Sequence, residues 1–199
     1  MLFFLVWSLY LILQKKWSLA ALIFSLSVAV KLIPLLFLPL FYQWFTKDEK
    51  RKGILNFLSF GAIIIGINML LFLPFLSSDL LDKYLSSVGL WFQKFEFNAS
   101  LYYIARALGT LFRGYNEIAI IGKTTPVIVV IFLLIITLFR KNKSPQQLIT
   151  ALLIGISFYY FTTTTMHPWY LTTLVILSVF TNYRFPIVWS VVIVLSYQA

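Results

Sequence analysis

The chain has 199 residues, of which 61% are hydrophobic and 19% aromatic, with only 11% charged and a mean hydropathy of +0.92. That composition excludes an ordinary water-soluble domain, in which about 25% of residues are charged, and the absence of cysteine excludes disulfides, thiolate metal sites and a cysteine nucleophile. The net charge of +10 points to membrane topology and anionic lipid rather than nucleic acid. Its basic residues stand in short clusters between apolar runs, and no nucleic-acid-binding module is present.

In hydrocarbon every backbone amide needs an internal partner, which leaves a helix bundle or a closed barrel. Barrel strands alternate polar and apolar residues, whereas the apolar runs here are unbroken and residues 118–139 alone suffice for one helical crossing of about 20 residues. The sequence therefore predicts an all-α, polytopic transmembrane helix bundle. In chain order the apolar stretches are 1–13, 17–45, 54–76, 118–139, 148–161, 169–180 and 185–197. Both ends fall within apolar runs, so residues 1–199 are expected to form a single transmembrane domain that is a fragment of a larger bundle.

Segment 17–45 is about 43 Å long as one helix, against a hydrocarbon core of about 30 Å. Lys15 and Lys16 precede it and the cluster KDEKRK at 47–52 follows it, so both flanks favour the cytoplasm. A hairpin or broken pair of short helices turning near Lys31 to Pro34, with a second weak point at Pro39, satisfies both observations. The alternative is one kinked, tilted helix with Lys15 and Lys16 outside.

The clusters at 47–52 and 140–143 (RKNK), with Arg184, are expected in the cytoplasm. Crossings by 54–76, 118–139 and the next segment then place residues 77–116 and 162–167 together on the outer face. Within the first of these regions Asn98 is a suitable helix N-cap. From there Tyr102 and Arg106 fall on one face of an amphipathic helix at a spacing of four, next to Tyr103. Aromatic rings pack on sugar carbons and a guanidinium grips phosphate oxygens, so this surface suits a sugar phosphate; an interfacial helix anchored by tyrosines has the same pattern.

The second outer region holds Thr162 to Thr165 and the stretch Met166, His167, Pro168, Trp169, Tyr170. The threonines can solvate a sugar or bond their own helix carbonyls. His167, the sole histidine, can exchange a proton near neutrality, or can share an interfacial aromatic belt with Trp169 and Tyr170. Lys31 lies deep in an apolar run, where a charge costs roughly 2.5 to 3.5 kcal/mol; a phosphate would offset that, as would snorkelling to a water layer. No phosphate-cradling glycine loop, metal-ligand set, nucleophile elbow or dinucleotide fingerprint occurs, and no cofactor is expected.

Three stretches, AVKLIPLLFLPLF at 29–41, FNASLYYIARAL at 97–108 and TTTTMHPWYLTTL at 162–174, resemble the multi-spanning GT-C glycosyltransferases. The likeness is specifically to bacterial mannosyltransferase-like members that use a polyprenyl-phosphate sugar donor. The likeness runs in order over most of the chain. It implies a hexosyltransferase of the bacterial cytoplasmic membrane whose site faces the periplasm or exterior. Its partners would be a polyprenyl-phosphate sugar donor, a lipid or glycan acceptor and membrane lipids, with no nucleic acid. On that reading His167 is the candidate catalytic residue, and Lys31, Asn98, Tyr102, Tyr103, Arg106, Trp169 and Tyr170 are candidate substrate-binding residues. Family members also carry an acidic general base in their first exterior loop. Nothing here matches it, since the first acid, Asp48, lies in a predicted cytoplasmic loop, so the chain is expected to be a C-terminal portion without that catalytic loop, which puts catalysis by it alone in doubt. A carrier or flippase for a lipid-linked or anionic solute could use the same lysine and aromatics, although the inverted repeats of such proteins are not visible.

Overall fold

A computed structural model describes residues 1–197, apart from the side chains of residues 91, 92 and 197. Among the described residues the structure is all helical, with ten α-helices linked by short 3-10 turns and one isolated β-bridge. Two helical stretches, Lys50–Phe75 and Ile118–Phe139, are long and apolar enough to cross a membrane. Only 11% and 22% of their apolar windows are buried inside the protein. A helix this apolar and this uncovered is not the core of a water-soluble domain; its outer surface suits lipid.

The chain divides into two compact units, one made of Met1–Ser77 with Leu133–Ala151, the other of Ser78–Phe132 with the chain from Leu152 onward. The first unit opens with α1 (Leu2–Leu13) and α2 (Trp17–Val30). Small residues let the pair approach: Ala20 and Ala21 are fully buried, and Ser8 Oγ donates to Ala20 O at 2.9 Å. α2 ends where Lys31 becomes extended (φ −160°, ψ 134°). The return is built from 3-10 turns Ile33–Phe37 and Pro39–Phe41 and from α3 (Tyr42–Phe45). Pro34 and Pro39 sit at the starts of the two turns, where a missing N–H costs nothing.

Segment 17–45 is therefore a broken pair, and the single kinked helix is ruled out. Lys15 Nζ lies 3.1 Å from Asp48 Oδ2, so the residues before and after the segment meet at one end of the unit. Both partners are exposed, and such a pair contributes little stability; its value is geometric. The same end holds the second basic cluster. Gln43 Nε2 donates to Thr137 O at 2.6 Å, and Gln43 Oε1 accepts from the Asn142 backbone N–H at 3.0 Å. Asn142, fully buried, donates from Nδ2 to Ile136 O and accepts from Arg140 Nη1 at 2.9 Å.

The core of this unit is aromatic. Phe24, Phe41 and Phe60 are fully buried, with ring centroids 5.8 to 5.9 Å apart, and Phe45 adds a fourth ring 5.3 Å from Phe60. Phe60 belongs to α4 (Lys50–Phe72), which starts four residues before the apolar run that predicts it. Its first turn, KRKG, is helical because backbone bonding does not stop where hydrophobicity does. Gly53 in that turn is buried against the end of α3, where a Cβ would stand 2.3 Å from Phe45 O.

The second unit contains α5 (Leu80–Gln93), α6 (Leu101–Arg113), α9 (Leu171–Val179) and α10 (Phe185–Tyr197), with parts of α7 (Ile118–Phe139) and α8 (Pro145–Thr162). Phe132 stacks on Phe158 at 3.9 Å and Phe161 on Trp189 at 4.1 Å. α6 is the expected amphipathic helix: Tyr102 is buried, whereas Ile104, Leu108, Leu111 and Phe112 are exposed. It ends at Gly114, whose φ of 79° suits glycine. The expected N-cap at Asn98 is corrected. Ser100 occupies that position, and Asn98 takes the left-handed conformation at φ 48°, which asparagine tolerates. The chain turns there because Phe97 is fixed to another segment, and Asn98 Oδ1 accepts from Ser196 Oγ at 3.0 Å.

Candidate active site

The fixed point is a parallel bridge between Phe97 and Thr165. The Phe97 N–H donates to Thr164 O at 3.0 Å and the Met166 N–H donates to Phe97 O at 2.8 Å. The two regions that the charge pattern assigned to one face are thus joined through their backbones. Thr163, Thr164 and Thr165 are buried, and Thr162 Oγ1 bonds back to Phe158 O at 2.9 Å. The threonine run serves the fold and does not present a row of hydroxyls.

Two adjacent side chains leave the bridged segment for two different clusters. Phe97 packs on His167, with centroids 5.2 Å apart and planes 30° apart. The imidazole also stacks on Trp169 at 4.4 Å and meets Tyr170 edge-on at 5.5 Å. His167 is extended (φ −102°, ψ 148°) because Pro168 follows it and begins the 3-10 turn Pro168–Tyr170 that leads into α9. Trp169 is 56% exposed, so the stack opens outward on that side.

Glu96 makes the second cluster. Arg106 Nη1 donates to Glu96 Oε1 at 2.6 Å, Asn116 Nδ2 donates to Glu96 Oε2 at 3.1 Å, and the Tyr102 hydroxyl donates to Glu96 Oε2. Asn116 Oδ1 lies 3.1 Å from the same phenol oxygen. Tyr102 and Arg106 converge on one carboxylate because they are one helical turn apart on α6. Burial, followed by the bond to Glu96, pushes the Tyr102 phenol up to about 12. Its folded value is raised above the unfolded value of about 10, so the neutral phenol contributes stability that is complete below pH about 10 and is lost as pH rises through about 12. Thermal melts should therefore show a decline in this window that is smaller in Tyr102→Phe.

Beside Arg106 the outer surface of α6 carries an open groove of about 640 Å³, lined by Tyr103, Arg106, Ala107, Thr110 and Leu111. It is mostly apolar, with the guanidinium as its charged edge. Among the described residues no three His, Asp or Glu side chains converge as metal ligands would.

Of the residues singled out by sequence, Asn98, Tyr102, Tyr103, Arg106, His167, Trp169 and Tyr170 all belong to the second unit. Tyr103 and Trp169 are exposed, whereas Tyr102 is buried beneath the surface with its hydroxyl engaged. Lys31 belongs to the first unit and is half-buried at the break between α2 and the first 3-10 turn. Glu96 and Asn116 are the members that sequence reasoning did not select.

Residues 1–168 match the sequence model of Glycosyltransferase family 87. The chain belongs to glycosyltransferase family 87. The match takes in both the Glu96 cluster and His167, ending one residue beyond the latter. No curated protein and no solved structure matches the chain. Membership makes this family 87 chain a membrane glycosyltransferase, with a sugar donor and an acceptor as its substrates.

Proposed function

We propose that this family 87 chain takes part in transferring a hexose, mannose on the likeness of its motifs, from a polyprenyl-phosphate donor to a hydroxyl of a lipid or glycan. The setting is the outer face of the bacterial cytoplasmic membrane. One observation carries the reading: the Phe97 bridge fastens the Glu96–Arg106 cluster to the segment that holds His167. As the glycosidic bond breaks, charge develops on the leaving phosphate, and a preorganised cation there lowers the barrier. Arg106 uses Nη1 on Glu96, leaving its remaining N–H groups for phosphate oxygens.

The apolar groove next to Arg106 suits the isoprenoid chain, and the exposed rings of Tyr103 and Trp169 suit the sugar carbons. Tyr170, edge-on to His167, and Asn98, next to Phe97 in the chain, complete the proposed set. His167 hydrogen-bonds the phosphate or a sugar hydroxyl and so orients the substrate. Lys31, at the broken helix of the first unit, is by itself a candidate cation for a phosphate. The acidic general base of the resembled family has no counterpart in this sequence, so the deprotonating group lies outside the residues assigned here.

The donor is tested with the purified protein in nanodiscs. Labelled mannose should move to lipid acceptor from polyprenyl-phosphate mannose and not from a nucleotide sugar; direct use of the nucleotide sugar would overturn the assignment. In proteoliposomes, translocation of the lipid-linked sugar without bond formation would instead identify a carrier. Orientation has its own test, since a chain without cysteine accepts single reporters cleanly. Ser100→Cys should label from outside and Ser144→Cys only after permeabilisation, and the reverse pattern would put His167 in the cytoplasm.

A further inference from the structure

Among the described residues Glu96 is the one acid paired with the proposed donor-binding arginine, and its chemistry differs from that of a general base. A carboxylate offers about four acceptor positions, and here Arg106, Asn116 and Tyr102 already donate to three. A group so engaged has little capacity left to take a proton from an acceptor hydroxyl. It is well placed to hold its neighbours. The Arg106 side chain is 44% exposed and Glu96 25%, so an approaching anion meets the guanidinium rather than the carboxylate.

We propose that Glu96 is a positioning residue for the donor phosphate: it fixes the Arg106 guanidinium on the face of α6 before the ligand arrives. The proposal rests on the reading that Arg106 meets that phosphate. A long, half-exposed arginine loses rotamer freedom on binding unless something has already ordered it. Glu96 does so from a segment that is itself immobilised, because its neighbour Phe97 is bridged to Thr164 and Met166. The adjacent pair Glu96 and Phe97 therefore sets Arg106 on one side and His167 on the other. Tyr102 and Asn116 act one step further back, by fixing Glu96 Oε2.

The test is a double-mutant cycle on Kd for farnesyl monophosphate, with the protein in nanodiscs and folding checked by thermal melts. Glu96→Gln keeps the size of the side chain and removes its charge. It should weaken binding about ten-fold, and Arg106→Ala should weaken it at least as much. On the Arg106→Ala background Glu96→Gln should add nothing, which a merely structural role would not produce. Binding by Glu96→Gln equal to or tighter than wild type overturns the proposal, and so does a full additive loss on top of Arg106→Ala. A fall in transfer kcat with unchanged Kd would assign Glu96 to proton transfer and overturn it equally. Unchanged binding by Arg106→Ala would remove the functional reading itself, and this proposal with it. Should Glu96→Gln fail to fold, Tyr102→Phe provides the second route, with a smaller weakening that also disappears without Arg106.

Discussion

Sugar transfer should fall about 10²-fold or more in both Arg106→Ala and His167→Ala, measured as kcat/KM with a polyprenyl-phosphate sugar donor. For Arg106 the loss follows from removing the cation beside a leaving group whose charge increases in the transition state. Lysine should not rescue it: a compact ammonium cannot hold Glu96 and still offer a planar pair of donors to phosphate oxygens. His167 allows a sharper comparison, because its ring both stacks and carries nitrogen. It packs against Phe97 at 5.2 Å and Trp169 at 4.4 Å, so His167→Phe preserves the aromatic column while deleting the hydrogen-bonding and proton-carrying atoms. If the nitrogens matter, Phe is as inactive as Ala. Recovery of activity in His167→Phe would reduce the residue to an aromatic spacer.

The second large effect is one of stability. Gly53→Ala should cost about 2–3 kcal/mol in the first unit, read as a drop in melting temperature in detergent. An added Cβ would lie 2.3 Å from Phe45 O and 2.7 Å from Thr46 Cα. Both are backbone atoms and cannot rotate aside. α4 would have to retreat from α3, opening the packing of Phe45 and Phe60, now 5.3 Å apart. Gly66, in the same helix, is the internal control, since a Cβ there meets nothing within 4 Å. Gly66→Ala should leave stability unchanged or raise it by about 0.5–1 kcal/mol through the better helix propensity of alanine. Equal melting temperatures for Gly53→Ala and wild type would show that α3 and α4 are not in close contact.

Helices were legible where length and hydrophobicity act together. α7 spans Ile118–Phe139, as the apolar run does. The break at Lys31 was legible because a cation deep in an apolar run, Pro34 and the two basic flanks all disfavour a continuous helix. α4 was read as starting four residues late, because its first turn is charged and hydropathy marks lipid rather than helix. Asn98 was misread as a cap, since the residue type favoured at an N-cap is also the one that tolerates a left-handed turn. Which it becomes was decided by a backbone bridge to Thr164 and Met166, nearly 70 residues away. Glu96, placed on the outer face, was not selected as a site residue, because its contacts too are set by the fold. Its partners lie 6, 10 and 20 residues further on, across a turn and a helix, where no periodic spacing signals them. Only the pairing of Tyr102 with Arg106 was visible, because a helix repeats and a loop does not.

The break at Lys31 also constrains how this chain enters a membrane. α2 has 14 residues, about 21 Å of helix, and cannot by itself bridge a hydrocarbon layer of about 30 Å. The return through the two 3-10 turns and α3 is no better suited to cross alone, for its irregular backbone would be exposed to lipid. Its flanks finish together at Lys15 and Asp48. Neither half is thus a topogenic unit in its own right. The hairpin is therefore expected to enter the membrane as one object, once the charged residues at 47–52 have emerged.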